Sequence, residues 1–168
     1  DRLASLLEQL PVGATAVCVG DIGLGFRDTQ SPLCLDGPDK VARERNQTIW
    51  LVRGNHDDPD IWNFSRYAWN DHLTNIRIPP DIHRMMIDNI HVVMIGGATS
   101  LDRGHPDRID GENWWSNEAV SASALSSVER LVESYGKADL LITHVGPFEA
   151  LPGMDRDEES FLYYSNID

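Results

Sequence analysis

Six residues at three places in the chain could do chemistry together. They are Asp21 after the run "VCVG", the block Arg53, Asn55, His56 and Asp57 in "RGNHD" after "WLV", and His144 after "LLIT". Asp, Asn and His supply oxygen and nitrogen donors suited to Mn, Fe or Zn, and one carboxylate can bridge two ions. The planar fork of an arginine suits an anion held by two hydrogen bonds. Taken singly, each residue also has a plain structural role. Asp21 could cap a turn, Asn55 could hold a left-handed one, His144 could be a satisfied structural histidine, and Arg53 could form a surface ion pair. Their repetition at the ends of apolar runs, each beside a glycine (Gly20, Gly54 and Gly146), favours a shared site. In α/β sheets ligands collect outside the carboxyl ends of the strands, and glycine lets backbone and ligand come close there.

The elements that would position these groups follow from hydrophobic periodicity. Leu3, Leu6, Leu7 and Leu10 predict an amphipathic helix over residues 2–10, stopped by Pro11 and Gly13. "ATAVCVG" and "QTIWLVRG" predict buried strands, with a loop and a short helix near residues 39–46 between them. A loop-and-helix region carrying Trp62, Phe64, Tyr67 and Trp69 comes next. "HRMMIDNIHVVMIGGA" predicts two strands joined by a turn at Asp88 and Asn89. The segment from Asp102 to Trp115 is too rich in Gly, Pro and Asp for regular structure. Val120, Ala124, Leu125, Val128, Leu131, Val132 and Tyr135 then predict a helix ending at Gly136, and "ADLLITHV" a further buried strand. Strands alternating with helices imply an α/β layered domain spanning residues 1–168 as one unit.

With "GDIG" at 20–23, "RGNHD" at 53–57 and "THVGP" at 143–147, the chain resembles the calcineurin-like metallophosphoesterases. "GNHD" behind an apolar strand is the specific part of the match, and "GGATSLDR" followed by "NWW" is similar to a bacterial and phage subgroup. The resemblance implies a four-layer α/β/β/α sandwich. It implies two divalent cations, Mn first with Fe, Zn or Ni as alternatives, bridged by Asp21, with Asn55 and His144 on the second ion. His56 would face the substrate, bonding a phosphoryl oxygen or protonating the leaving group, with Asp57 orienting it. Arg53 would contact phosphate. The implied reaction is hydrolysis of a phosphate ester by a metal-bridging hydroxide attacking phosphorus in line.

Two motifs of that family, an Asp-x-His pair on the first strand and a Gly-His-x-His near the C-terminus, are not visible. His72, His83, His91 and His105 do not replace them and read as surface or loop residues. The expectation is a fragment of a longer enzyme, which as an isolated chain could be inactive. The alternative is a scaffold that kept the fold, lost the first metal site and binds a protein partner. A nucleotide-binding module fits less well, because "GDIGLGF" lacks the Gly-Lys-Ser/Thr ending of a phosphate-binding loop. Substrates stay open among phosphorylated small molecules, nucleotides and phosphoproteins, and between mono- and diesters. Trp114 and Trp115 read either as rim aromatics for such a substrate or as anchors of the following helix.

Composition excludes other classes. A formal charge of -13 with no basic cluster argues against nonspecific nucleic-acid binding. No run of about 18 apolar residues predicts a membrane span, and "DRLASLLEQL" lacks the form of a signal peptide. Cys18 and Cys34, read as buried or bystander thiols, fit a reducing cytoplasm.

Overall fold

Two apolar runs with alternating faces build the first sheet. Strand β1 (Thr15–Cys18) lies parallel to β2 (Thr48–Leu51), with Thr15 opposite Thr48 and Cys18 opposite Leu51. A two-residue strand, β3 (Ile76–Arg77), pairs parallel to β2 on its other side. The computed structural model describes residues 2–26, 32–68 and 72–145, without the side chains of residues 32, 33 and 64–68. Gly146, Trp69 and the side chains of Phe64 and Tyr67, all marked in the sequence, lie outside what is described.

Parallel strands need crossover connections, and helices supply them here. Helix α1 (Arg2–Gln9) precedes β1, α2 (Asp36–Glu44) lies between β1 and β2, and α3 (Pro59–Ala68) between β2 and β3. One face of the sheet, through Ala16, Cys18, Ile49 and Leu51, packs with Leu3 and Leu7 of α1, Ala42 of α2 and Trp62 of α3. Each fully buried Leu or Ile in this cluster contributes about 1.5–3 kcal/mol. Buried Asp39, in the first turn of α2, ties this layer to β3. Its carboxylate accepts from the backbone N–H groups of Thr74, Asn75 and Ile76. Although burial raises its pKa, those bonds hold it below the ordinary value.

The other face, through Val17, Trp50 and Val52, packs with Met85, Ile87, Val92, Met94 and Ile142 of a second sheet. Strands β4 (Ile82–Ile87) and β5 (Ile90–Ile95) form its hairpin, and β6 (Leu140–Thr143) runs parallel to β5. The hairpin turn falls where the sequence put it, with Asp88 and Asn89 at φ 48° and 67°. Both central residues of such a two-residue turn need positive φ, which Asp and Asn tolerate. His83 differs from its expected surface placement. It sits half-buried on β4 with its ring stacked on Trp50 at 5.3 Å, and burial lowers its pKa.

Helix α4 (Ala122–Tyr135) starts at Ser121, whose hydroxyl accepts from Ala124 N, and stops at Gly136 with φ 78°. Arg84 of β4 donates to the carbonyls of Tyr135 and Gly136, fastening the helix end to the second sheet. The predicted helix is present, and no residue of it is buried: its apolar stripe leaves Leu125, Val132 and Tyr135 exposed. The fold is mixed α/β, with four helices and two three-stranded sheets among the described residues. None of those helices is long and apolar enough to cross a membrane.

Candidate metal centre

Because β1 and β2 are parallel neighbours, the residues that follow them leave on one edge of the sheet. Asp21 and the turn at Gly54 to Asp57 therefore meet, and His144 reaches them from the end of β6. The approach is close enough to require glycine twice. Gly20 has φ +104°, and a Cβ there would collide with His144 Nδ1 and the backbone of Gly54. A Cβ on Gly54 would strike Asp21 Oδ1 and stand 3.0 Å from His144 Cε1. Asp21 itself adopts φ 56°, an uncommon conformation that aspartate tolerates.

Hydrogen bonding fixes which atoms face the centre. His144 Nδ1 lies 2.5 Å from Val19 O. A carbonyl only accepts, so Nδ1 carries a proton, and in the neutral ring Nε2 is left with its lone pair. Nε2 faces Asn55 Oδ1 at 3.0 Å and Asp21 Oδ1 at 3.3 Å. Asn55 is oriented in turn by Ser100. The carboxylate of Glu118 accepts from Ser100 Oγ at 2.8 Å, so the hydroxyl has given away its one proton and must accept from Asn55 Nδ2, at 3.0 Å. That bond turns Asn55 Oδ1 toward His144. Glu118 also accepts from Ser100 N and Trp114 Nε1, and is itself buried.

With the imidazole neutral, three atoms without a proton between them converge: a ring nitrogen, an amide oxygen and a carboxylate oxygen. Lone pairs brought together repel unless a positive charge, a proton or a metal cation, sits among them. Ions such as Mg or Zn bind such donors at about 2.1 Å, which sets adjacent octahedral ligands about 3.0 Å apart. The separations of 3.0 and 3.3 Å from His144 Nε2 fit that spacing. The Asp21 side chain is 39% exposed, leaving an approach for water or substrate. Among the described residues no three His, Cys, Asp or Glu side chains group to hold a metal. The donor set here is two of those types completed by an amide.

The remaining expected residues are placed differently from one another. His56 donates its backbone N–H to Asp21 Oδ1 at 3.0 Å. Its half-buried ring stacks on Phe26, centroids 4.7 Å apart, with Trp115 tilted against Phe26 at 6.0 Å. Asp57, expected to orient His56, is instead the hub of the backbone around the site. Its fully buried carboxylate accepts from the N–H groups of Asp21, Gly23, Leu24 and Gly54. Burial raises its pKa, opposed by those bonds.

Arg53, expected at phosphate or at a surface ion pair, forms an ion pair with Asp81 but is itself buried. It is 2% exposed, its Nε and Nη2 hold Asp81 at 2.9 and 2.8 Å, and its Nη1 donates to Glu118 O. A guanidinium bound on three sides positions the second sheet's first strand against the site turn and has no open fork for a substrate.

Glu118 and Ser100 are site residues that the sequence reading does not single out, although Ser100 stands inside "GGATSLDR" and Glu118 three positions after the Trp114–Trp115 pair. Trp115 is buried, whereas the Trp114 indole serves as a donor to Glu118. Arg108 clamps the long loop by a bidentate bond to Asp102 and a bond to Asn113 O. Both cysteines are free, and burial pushes both thiols up, away from reactivity. They line a cavity of about 520 Å3 that reaches Gly20 and Asp21.

No protein-family model, curated protein or solved structure matches this chain.

Proposed function

We propose that the chain is a metal-dependent phosphoesterase domain, with Asp21, Asn55 and His144 holding a divalent cation. One observation carries the reading: His144 Nε2, with its tautomer fixed by Val19, faces two oxygens that have no proton to give. A cation bound there would polarise the phosphoryl oxygens and acidify a water. Asp21 would anchor it and, by the family resemblance, share a second one. His56 would protonate the leaving oxygen, its ring plane fixed by Phe26 and its backbone by Asp21. The Phe26 and Trp115 rings would exclude water on that side. Water would add to phosphorus as the ester P–O bond breaks, giving the free alcohol with phosphate from a monoester or with a phosphate monoester from a diester. In fold, the proposal is the four-layer sandwich, supported by the helix-facing and sheet-facing cores on opposite faces of the first sheet.

The donor count favours one specific second reading. The three described candidate ligands would serve a single cation, which suits a fold that binds metal and a partner without hydrolysis. Hydrolysis of p-nitrophenyl phosphate and its bis ester with Mn separates the two. The esterase reading expects Mn-dependent turnover that His56→Ala reduces while Mn affinity stays within about threefold. Turnover that survives in His56→Ala would overturn the role of His56, and absence of turnover in a chain that binds Mn would favour the second reading.

A further inference from the structure

We infer that Glu118 is a positioning residue for the cation site, acting through the polarity of the Ser100–Asn55 hydrogen-bond chain. The inference rests on the reading of Asp21, Asn55 and His144 as ligands. Asn55 can bind a cation only through Oδ1, because its Nδ2 is a donor. Among the described residues the Asn55 amide meets His144 on one side and Ser100 on the other, and it is the Ser100 side that demands a donor. The choice is made at Glu118, which has two oxygens and no donor. One oxygen takes Ser100 N and Trp114 Nε1, and the other takes the Ser100 hydroxyl. Ser100 Oγ must then accept from Asn55 Nδ2, and Oδ1 is left for the site. Glu118 is 2% exposed and Ser100 3% exposed, so solvent does not supply a substitute proton.

An isosteric glutamine reverses this chain. Its amide oxygen keeps Ser100 N and Trp114 Nε1, both of which need an acceptor, so its NH2 falls opposite Ser100 Oγ. The hydroxyl now accepts from that amide and turns its own proton toward Asn55. The Asn55 amide rotates, placing Oδ1 on Ser100 and Nδ2–H on the lone pair of His144 Nε2. One proton then occupies the place of the cation, without any change in the shape of the site. Exchanging Asn55 for aspartate makes rotation irrelevant, since a carboxylate presents oxygen either way.

Mn affinity measured by equilibrium dialysis, with Tm recorded alongside, tests this in four proteins: wild type, Glu118→Gln, Asn55→Asp and the double variant. Loss of an outer partner of a metal ligand typically weakens binding about 10–100-fold. We expect that loss for Glu118→Gln in the wild-type background, and less than about threefold when it is added to Asn55→Asp. Equal losses in both backgrounds, or unchanged affinity in Glu118→Gln, would overturn the relay. Ser100→Ala gives an independent check, because without the hydroxyl Glu118→Gln should cost no further affinity, and a full loss there refutes the relay as well. Wild type that binds no Mn removes the ligand reading itself, and the relay with it.

Discussion

Replacing Asp57 with asparagine takes away one of the two oxygens on which four backbone N–H groups converge. Oδ1 holds Gly23 and Leu24, and Oδ2 holds Asp21 and Gly54, at 2.8 to 3.1 Å. Asparagine keeps one oxygen and sets an NH2 group against the other two donors. Two buried donors left unpaired cost about 1–3 kcal/mol each. Part of this is recovered, because burial already works against the ionised form and raises the Asp57 pKa. The expected net loss is about 2–4 kcal/mol, lowering Tm on the order of 10 °C for a chain of this length. Thermal unfolding followed by far-UV circular dichroism, with a urea titration for the free energy, measures it. The neighbouring Asp58→Asn is the control. Asp58 Oδ1 accepts from Asp60 N and Ile61 N at the start of α3, a capping role asparagine fills about equally well. A Tm for Asp57→Asn within about 2 °C of wild type, with reduced turnover, would refute the backbone role and restore the orientation of His56 as its function.

Arg53→Lys should lower stability by about 2–4 kcal/mol, since lysine cannot hold Asp81 and Glu118 O together. KM for a phosphate ester should stay within about threefold, and a tenfold rise in KM at unchanged Tm would return Arg53 to the substrate. Gly54→Ala should abolish Mn binding, because its Cβ collides with Asp21 Oδ1, and wild-type Mn affinity in that variant would contradict the packing of the site. His83 has a folded pKa depressed below 6.5 by burial. Its contribution is therefore full above that value and lost as pH falls from it toward the folded pKa. His83→Phe should flatten the fall of Tm between about pH 7 and 5, and an identical pH profile in the variant would show that His83 is not its source.

Much of the framework was legible because its signals are local. The apolar runs around "TAVC" and "TIWL" read directly as strands, and "IDNI" reads as a hairpin turn. That Asp21, Asn55 and His144 come together was legible from their placement after such strands. What escaped depends on contacts distant in sequence. Strand β3 is two residues long and is fixed by Asp39, 37 positions before Ile76. Arg53 finds Asp81 28 positions on, and Asn55 finds Ser100 45 positions on. The partners of Asp57 are backbone groups, which have no sequence signature at all. Burial misled in β6 instead: the apolar run "LLIT" reads as a buried strand, yet Leu140 and Leu141 are exposed, because an apolar run reports strand potential but not what its faces meet.

The most direct measurement is the Mn content of the chain after equilibration and removal of free ion, for wild type and His144→Ala side by side. The ligand assignment predicts at least one ion retained per wild-type chain and its loss in His144→Ala. Wild type without bound Mn, or equal retention by both proteins, would contradict the assignment of Asp21, Asn55 and His144 as a metal centre.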